Sequence, residues 1–179
     1  MPNADIRTAI SSDIPTLMGF DHGFSTDHVW QMGFHGQGDG IEIQFQEVRL
    51  PRPMRVTYPR SPEKLADEWS QRLAVFVAEG EAGLMGYACL VEAPAPGIVW
   101  MTDLVVDLRH RRQGIGSALV RKACRWAKER GYGAIFMEMQ TKNFPAIGMA
   151  RKLGLGFSGY SDNFYPDQDI ALFFSMPIT

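Results

Sequence analysis

The residues with the clearest chemical potential are six in a row, Arg111-Arg112-Gln113-Gly114-Ile115-Gly116. They follow an alternating apolar run that ends at Val106 and lead into a helical apolar stripe that begins at Ile115. The start of a helix carries main-chain N–H groups without intrahelical partners and the positive end of the helix dipole, so this turn is an anion cradle. Gly114 and Gly116 let the main chain approach a bulky phosphate, and Arg111 and Arg112 are placed to add charge-assisted contacts. The spacing therefore predicts capture of a pyrophosphate. A dinucleotide fingerprint is excluded because the position of its third glycine is Leu119, and a nucleoside-triphosphate loop because no Gly-Lys-Ser or Gly-Lys-Thr follows.

The turn needs a strand before it and a helix after it. Ile98–Val106 reads as the strand, Ser117–Arg130 as the helix with Ile115, Leu119, Ala123, Trp126 and Ala127 on its buried face, and Ala134–Met139 as a parallel strand reached by right-handed crossover. Leu73–Glu79 and Gly86–Ala93 complete an antiparallel meander with Ile98–Val106. Near the N-terminus a strand, Ile6–Ile10, precedes a helix begun by Ser11, Ser12, Asp13 and Pro15 and ending near Asp21. His22–Gly40 holds five glycines and three histidines without periodicity and reads as a loop, or as a broken helix around Asp27–Met32. Ile41, Ile43 and Phe45 alternate with Glu42, Gln44 and Gln46 as a strand, which Pro51, Pro53 and Pro59 then interrupt. Ser61 and Pro62 open a helix to about Arg72 that buries Leu65, Ala66 and Trp69. Asn143 and Pro145 start a short helix that Gly154 ends, and Ile170–Met176 is a final strand.

With these elements in order, a resemblance becomes specific. Leu104-Val105-Val106-Asp107 followed by Arg111 to Gly116 resembles the R/Q-x-x-G-x-G/A signature of the GNAT acetyltransferase superfamily. Glu138, Gln140, Asn143 and Ala146, with Lys152 and Gly154, are similar to its E-x-Q-x-x-N-x-x-A and K-x-G pattern, especially in the streptothricin acetyltransferase-like branch. The resemblance implies an α/β (α+β) fold, a mixed, mostly antiparallel twisted sheet with flanking helices, whose fourth and fifth strands are parallel and splay to admit acetyl-CoA. It implies that main chain at Leu104, Val105 and Val106 bonds the pantetheine and thioester, that Arg111, Arg112, Gln113, Gly114, Ile115, Gly116 and Ser117 hold the pyrophosphate, that Asn143 bonds the cofactor near its reactive end, and that Lys152 reaches the phosphates. The family's usual tyrosine acid, seven residues after Asn143, is replaced by Ala150. Tyr165, Tyr160 or an ordered water is the substitute expected.

The activity so implied moves an acetyl group from acetyl-CoA to a primary amine by direct attack in a ternary complex. An amine of pKa ~10.4 must lose a proton first, which at pH 7 corresponds to about 4.6 kcal/mol (~3.4 units at ~1.36 each). Asp103 is the first candidate to accept it, Glu138 the second and Glu92 the third. The departing thiolate, with a conjugate acid near ~8.5, needs less help. A small-molecule amine is the favoured acceptor; a protein lysine or N-terminus, or a non-catalytic acyl-CoA-binding role suggested by Ala150, are the alternatives.

Composition narrows the remaining classes. The chain has 179 residues, 45% apolar and 21% charged, which suits one domain spanning 1–179 with a single substantial core. A net charge of −2 gives no field to attract nucleic acid, and Arg121, Lys122 and Arg125 fall on the outer face of their helix. Cys89 and Cys124 lack a CxxC or histidine partner and read as buried thiols of a reducing, cytoplasmic setting. His22, His28 and His35 lack close ligand spacing, so no metal is expected. The first ten residues hold no apolar signal segment and the longest apolar run, Leu73–Ala78, is far short of the ~20 residues that span a bilayer, so neither secretion nor membrane insertion is expected. A homodimer is the expected assembly by family analogy.

Overall fold

A computed structural model describes residues 4–37 and 39–178. Its centre is a seven-stranded sheet formed, in chain order, by β1 (Asp5–Thr8), β4 (Ala74–Gly80), β5 (Gly83–Glu92), β6 (Ile98–Val106), β7 (Ala134–Gln140), β8 (Gly156–Ser161) and β9 (Ala171–Pro177). The spatial order is β1-β4-β5-β6-β7-β9-β8. The neighbours β6 and β7, the fourth and fifth strands of this sheet in chain order, are parallel, and the other neighbours in it are antiparallel. The mixed sheet therefore agrees with the sequence reading, crossover included.

Both faces of the sheet are covered, which is why β4 reads as a continuous apolar run. Phe76 and Ala78 point into the larger core with α3 (Ile115–Glu129) and α4 (Phe144–Lys152). Val75 and Val77 point into a smaller core with α1 (Ile14–Met18) and α2 (Lys64–Glu68). Helix α3 carries Ile115, Leu119, Val120, Ala123 and Ala127 inward, as its spacing requires.

The structure corrects four sequence expectations. His22–Gly40 is no loop: Phe24–Gln37 forms β2, paired with β3 (Gly40–Val56) in a long hairpin. β3 carried the apolar alternation already read at Ile41–Phe45, whereas the glycines and histidines of β2 and its exposed distal part left no such pattern. Pro51 and Pro53 do not end β3, because Thr26 pairs with Met54 and His28 with Arg49, and the intervening prolines sit in the resulting bulge. Helices α1 and α2 are shorter than their patterns suggested, with one 3-10 turn, Trp69–Gln71, after α2, and Ala66 is exposed. The glycine-rich edge strand β8 had no strand pattern to find. The hairpin docks on the body where Trp30 N–H donates to Thr141 O at 2.9 Å and His28 stacks on Phe144.

Arg7 on β1 grips the start of α1. Its guanidinium donates to both Asp13 carboxylate oxygens at 2.7 and 3.0 Å, and Asp13 also accepts Ile10 N–H at 2.9 Å. The Arg7 hydrogen bonds hold the buried Asp13 carboxyl below its ordinary range. A carboxyl depressed in the folded state stabilises above its unfolded value of ~3.9, and the benefit disappears as pH falls through the lower folded value. Arg7→Met is expected to cost about 2 kcal/mol at neutral pH and to flatten the acid limb of stability, measured by urea unfolding from pH 7 downward.

Candidate active site

β6 and β7 pair from Ile98 with Ala134 to Met101 with Met137, and then part. At the parting, Leu90 of β5 faces Met101 while Cys89 faces Asp103, so Thr102 is an extra residue in a β-bulge. The bulge resets the alternation of side chains. Met101 belongs to the α3 core, and in a regular strand Asp103 would share its face. Instead Val105 joins Tyr87 and Cys89 on the α1/α2 face, Leu104 and Val106 pack toward α3, and Asp103 emerges on the α1/α2 side. Among the described residues, no strand pairs the edge of β6 that faces β7 from Asp103 to Val106.

Arg60 bridges the fork. One guanidinium nitrogen donates to Thr102 O at 2.8 Å and another to the Glu138 carboxylate on β7. Glu138 also accepts Trp100 Nε1–H at 2.7 Å, and its side chain is only 3% exposed. Burial pushes its pKa up, and Arg60 and Trp100 act against that rise.

A cavity of about 550 Å³ lies beside the fork, lined by Tyr58, Arg60, Arg72, Tyr87, Asp103 and Tyr165 among others. Asp103 is held by neutral donors: Tyr58 OH at 2.6 Å and Thr102 OH at 2.8 Å. Burial, with the Asp103 charge second, keeps the Tyr58 and Tyr87 phenols protonated, and burial with the Glu138 charge does the same for Tyr165. A second cavity of about 510 Å³ lies across the Tyr58–Pro62 segment and is lined by Phe20–Gly23, Arg55 and Glu63.

Beyond β6 the chain makes the expected turn. Arg112 and Gly114 both have left-handed backbones, at φ of 64° and 84°, so the turn curls into a concave nest at the start of α3. Ala118 N–H, bonded to Gly114 O at 3.0 Å, is the first intrahelical donor, which leaves the Ile115, Gly116 and Ser117 amides unpaired within the helix. This donor set fits a diphosphate. Arg112 and Gln113 are exposed at its rim. Gly116 also lies against α4, where a Cβ would come 3.2 Å from Met149 Sδ. Arg111 departs from the sequence expectation. Its guanidinium is committed to three main-chain carbonyls, Val106 at 2.9 Å, Gly23 at 2.8 Å and Asp21, which leaves its main chain as its contribution to the nest. Asn143 caps α4 by accepting Ala146 N–H at 3.2 Å, and Lys152 is exposed in the last turn of that helix.

Comparison with known proteins settles what this arrangement is. The profile of the acetyltransferase (GNAT) family matches residues 44–155. The streptothricin acetyltransferase of Streptomyces lavendulae is 30% identical over 97% of this chain and 94% of its own. The chain belongs to the GNAT acetyltransferase family. A crystal structure of nourseothricin acetyltransferase superposes with a TM-score of 0.83 at 28% identity, covering 99% of both chains. A Bacillus anthracis protein solved in complex with acetyl coenzyme A shares the fold at 18% identity, with a TM-score of 0.76 and 98% of both chains covered. As a GNAT N-acetyltransferase, the protein takes its acetyl group from acetyl-CoA.

Within this GNAT site the acid–base candidates separate. Asp103 and Tyr165 line the cavity, whereas Glu138 lies behind Arg60 as its counter-ion and Glu92 is exposed at the end of β5. Tyr160 packs on Phe45 at 5.3 Å, away from the cavity lining. Ala150 is fully buried in the α3/α4 core, so this position has no room for the family's tyrosine. Sequence reasoning missed Tyr58, Arg60 and Tyr87. Arg60 lies in the proline break Pro59–Pro62, whose only legible signal was an interruption of structure. Removing one partner of a mostly buried ion pair strands the other charge, so Arg60→Met is expected to cost about 3 kcal/mol and most of the activity. Arg60→Met combined with Glu138→Gln removes the stranded charge and should recover most of the stability but not the activity, read by thermal unfolding beside a thiol-release assay.

Proposed function

We propose that the protein acetylates a primary amine of a streptothricin-type small molecule, with Asp103 as the proton acceptor and the about 550 Å³ cavity as the acceptor site. The relatives named above support the substrate class. The observation that carries the reading is a carboxylate, Asp103, without an ion-pair partner among the described residues, at the mouth of the β6/β7 fork on the wall of that cavity.

When bound, acetyl-CoA supplies the activated acetyl thioester. The unpaired edge of β6 at Leu104, Val105 and Val106 bonds the pantetheine arm and polarises the thioester carbonyl. The amides from Arg111 to Ser117 hold the pyrophosphate, with Arg112 and Lys152 as nearby positive charges and the Asn143 carboxamide N–H₂ as a donor. Asp103 takes the proton of the acceptor ammonium. The amine nitrogen then attacks the acetyl carbon, the C–S bond breaks, the thiolate departs with the electron pair, and the acylated nitrogen loses its remaining extra proton to solvent water to give the neutral amide. Tyr165, kept protonated by burial, returns a proton to the thiolate and is itself reprotonated from solvent. Glu138 holds Arg60 rather than touching the acceptor.

Incubating the protein with acetyl-CoA and streptothricin is expected to release free thiol and yield a monoacetylated product by mass spectrometry. Asp103→Asn should lower kcat by about 100-fold or more and Tyr165→Phe by about 10-fold, each with the acetyl-CoA Kd from calorimetry unchanged. Absence of acetylated streptothricin alongside turnover of another amine would overturn the substrate assignment, and full activity of Asp103→Asn would overturn the base.

A further inference from the structure

Arg111 belongs to the phosphate turn by sequence, yet its side chain acts elsewhere. Its three hydrogen bonds reach Val106 O at the end of β6 and, from the segment between α1 and β2, Asp21 O and Gly23 O. Those last two carbonyls flank His22. The His22 ring is 8% exposed, and its Nδ1–H donates to Phe20 O at 2.7 Å. A carbonyl can only accept, so in the neutral ring Nε2 is the acceptor and takes Tyr87 OH at 2.9 Å. Burial lowers the His22 pKa, in keeping with that neutral form. Tyr87 lines the about 550 Å³ cavity, and Tyr58, whose ring lies 5.4 Å from that of His22, bonds Asp103.

The strap Asp21–Gly23 is thus held on its inner side by one planar guanidinium and on its outer side by the Arg55–Asp21 ion pair. We propose that Arg111 is a positioning residue of the acceptor cavity: through the Asp21–Gly23 strap it fixes His22 and Tyr87, and so ties the acceptor wall to the turn whose main chain grips the cofactor phosphates. An arginine suits this task because its fixed fork of donors serves three carbonyls at once, whereas a lysine offers a single point charge. The main chain of Arg111 faces one substrate and its side chain orders the wall for the other. Occupancy of the nest by acetyl-CoA stiffens the strap as a consequence. The proposal rests on the acetyl-transfer reading above, but its test does not depend on the acceptor alone.

Two variants disturb the strap from opposite sides. Arg111→Lys removes the fork, and Gly23→Ala places a Cβ 2.9 Å from Val56 O and 3.0 Å from the Arg55 guanidinium, which forces the strap to shift without touching the phosphate turn. In both, kcat/KM for streptothricin should fall about 10-fold or more, a modest displacement being enough for such a loss, while the calorimetric Kd for acetyl-CoA stays within about 3-fold. Hydrogen exchange of the wild type should show the Asp21–Phe24 amides gaining protection when acetyl-CoA is added, and Arg111→Lys should lose that gain. Weaker acetyl-CoA binding in Arg111→Lys by as much as its acceptor defect would overturn the proposal and make Arg111 a phosphate ligand. Unchanged kinetics in Gly23→Ala, or strap exchange indifferent to acetyl-CoA, would also overturn it. Should the wild type not turn over streptothricin, the substrate assignment fails, and the calorimetry and exchange arms still decide the role of Arg111.

Discussion

The structure turns on the parting of β6 from β7. A sheet interior that opens leaves main-chain donors and acceptors without partners, which folded chains ordinarily avoid. Here the opening is held by a bulge at Thr102 and by Arg60, whose guanidinium satisfies the bulge carbonyl and links it to Glu138 across the gap. The same parting leaves the edge of β6 from Asp103 to Val106 available to an extended, amide-bearing ligand, which in the proposed function adds to it as a strand would. The fork is a stabilised defect in a sheet.

The bulge has a second effect that connects fold to chemistry. Shifting a strand by one residue exchanges its faces, so Thr102 decides whether Asp103 looks into the α3 core or into the cavity beside the fork. Buried against Met101 and its neighbours, a carboxylate without a cation would be costly. On the cavity side it gains Tyr58 and Thr102 as donors.

Much of the fold was legible because its signals are local. The run through β4, the helical stripe of α3 and the glycine turn before it each record burial or backbone geometry in residue type, and they gave the crossover and the phosphate nest. What stayed hidden depends on distance in the chain. Arg60 meets a partner 78 residues away, Tyr58 one 45 away, and β2 is recognisable only through its pairing with β3 and the docking of Trp30 on Phe174. Arg111 illustrates the limit within a recognised motif: its position marks the turn correctly, while its side chain answers to carbonyls on a segment about 90 residues earlier.

Charge at the fork favours an amine acceptor in the proposed mechanism. Asp103 and Glu138 bring two negative charges and Arg60 one positive, and Glu68 balances Arg72 nearby at 2.6 Å. The balance of one negative charge resides on Asp103, the carboxylate without an ion-pair partner among the described residues. At an effective dielectric of about 20, opposite charges about 4 Å apart attract by about 4 kcal/mol, so Asp103 favours binding of the acceptor as its ammonium. The same attraction adds to the cost of removing the proton, which must be met as the nitrogen forms its bond to the acetyl carbon. Once the nitrogen is acylated it carries no charge, the attraction ends, and the amide is released from a site that held its precursor as a cation.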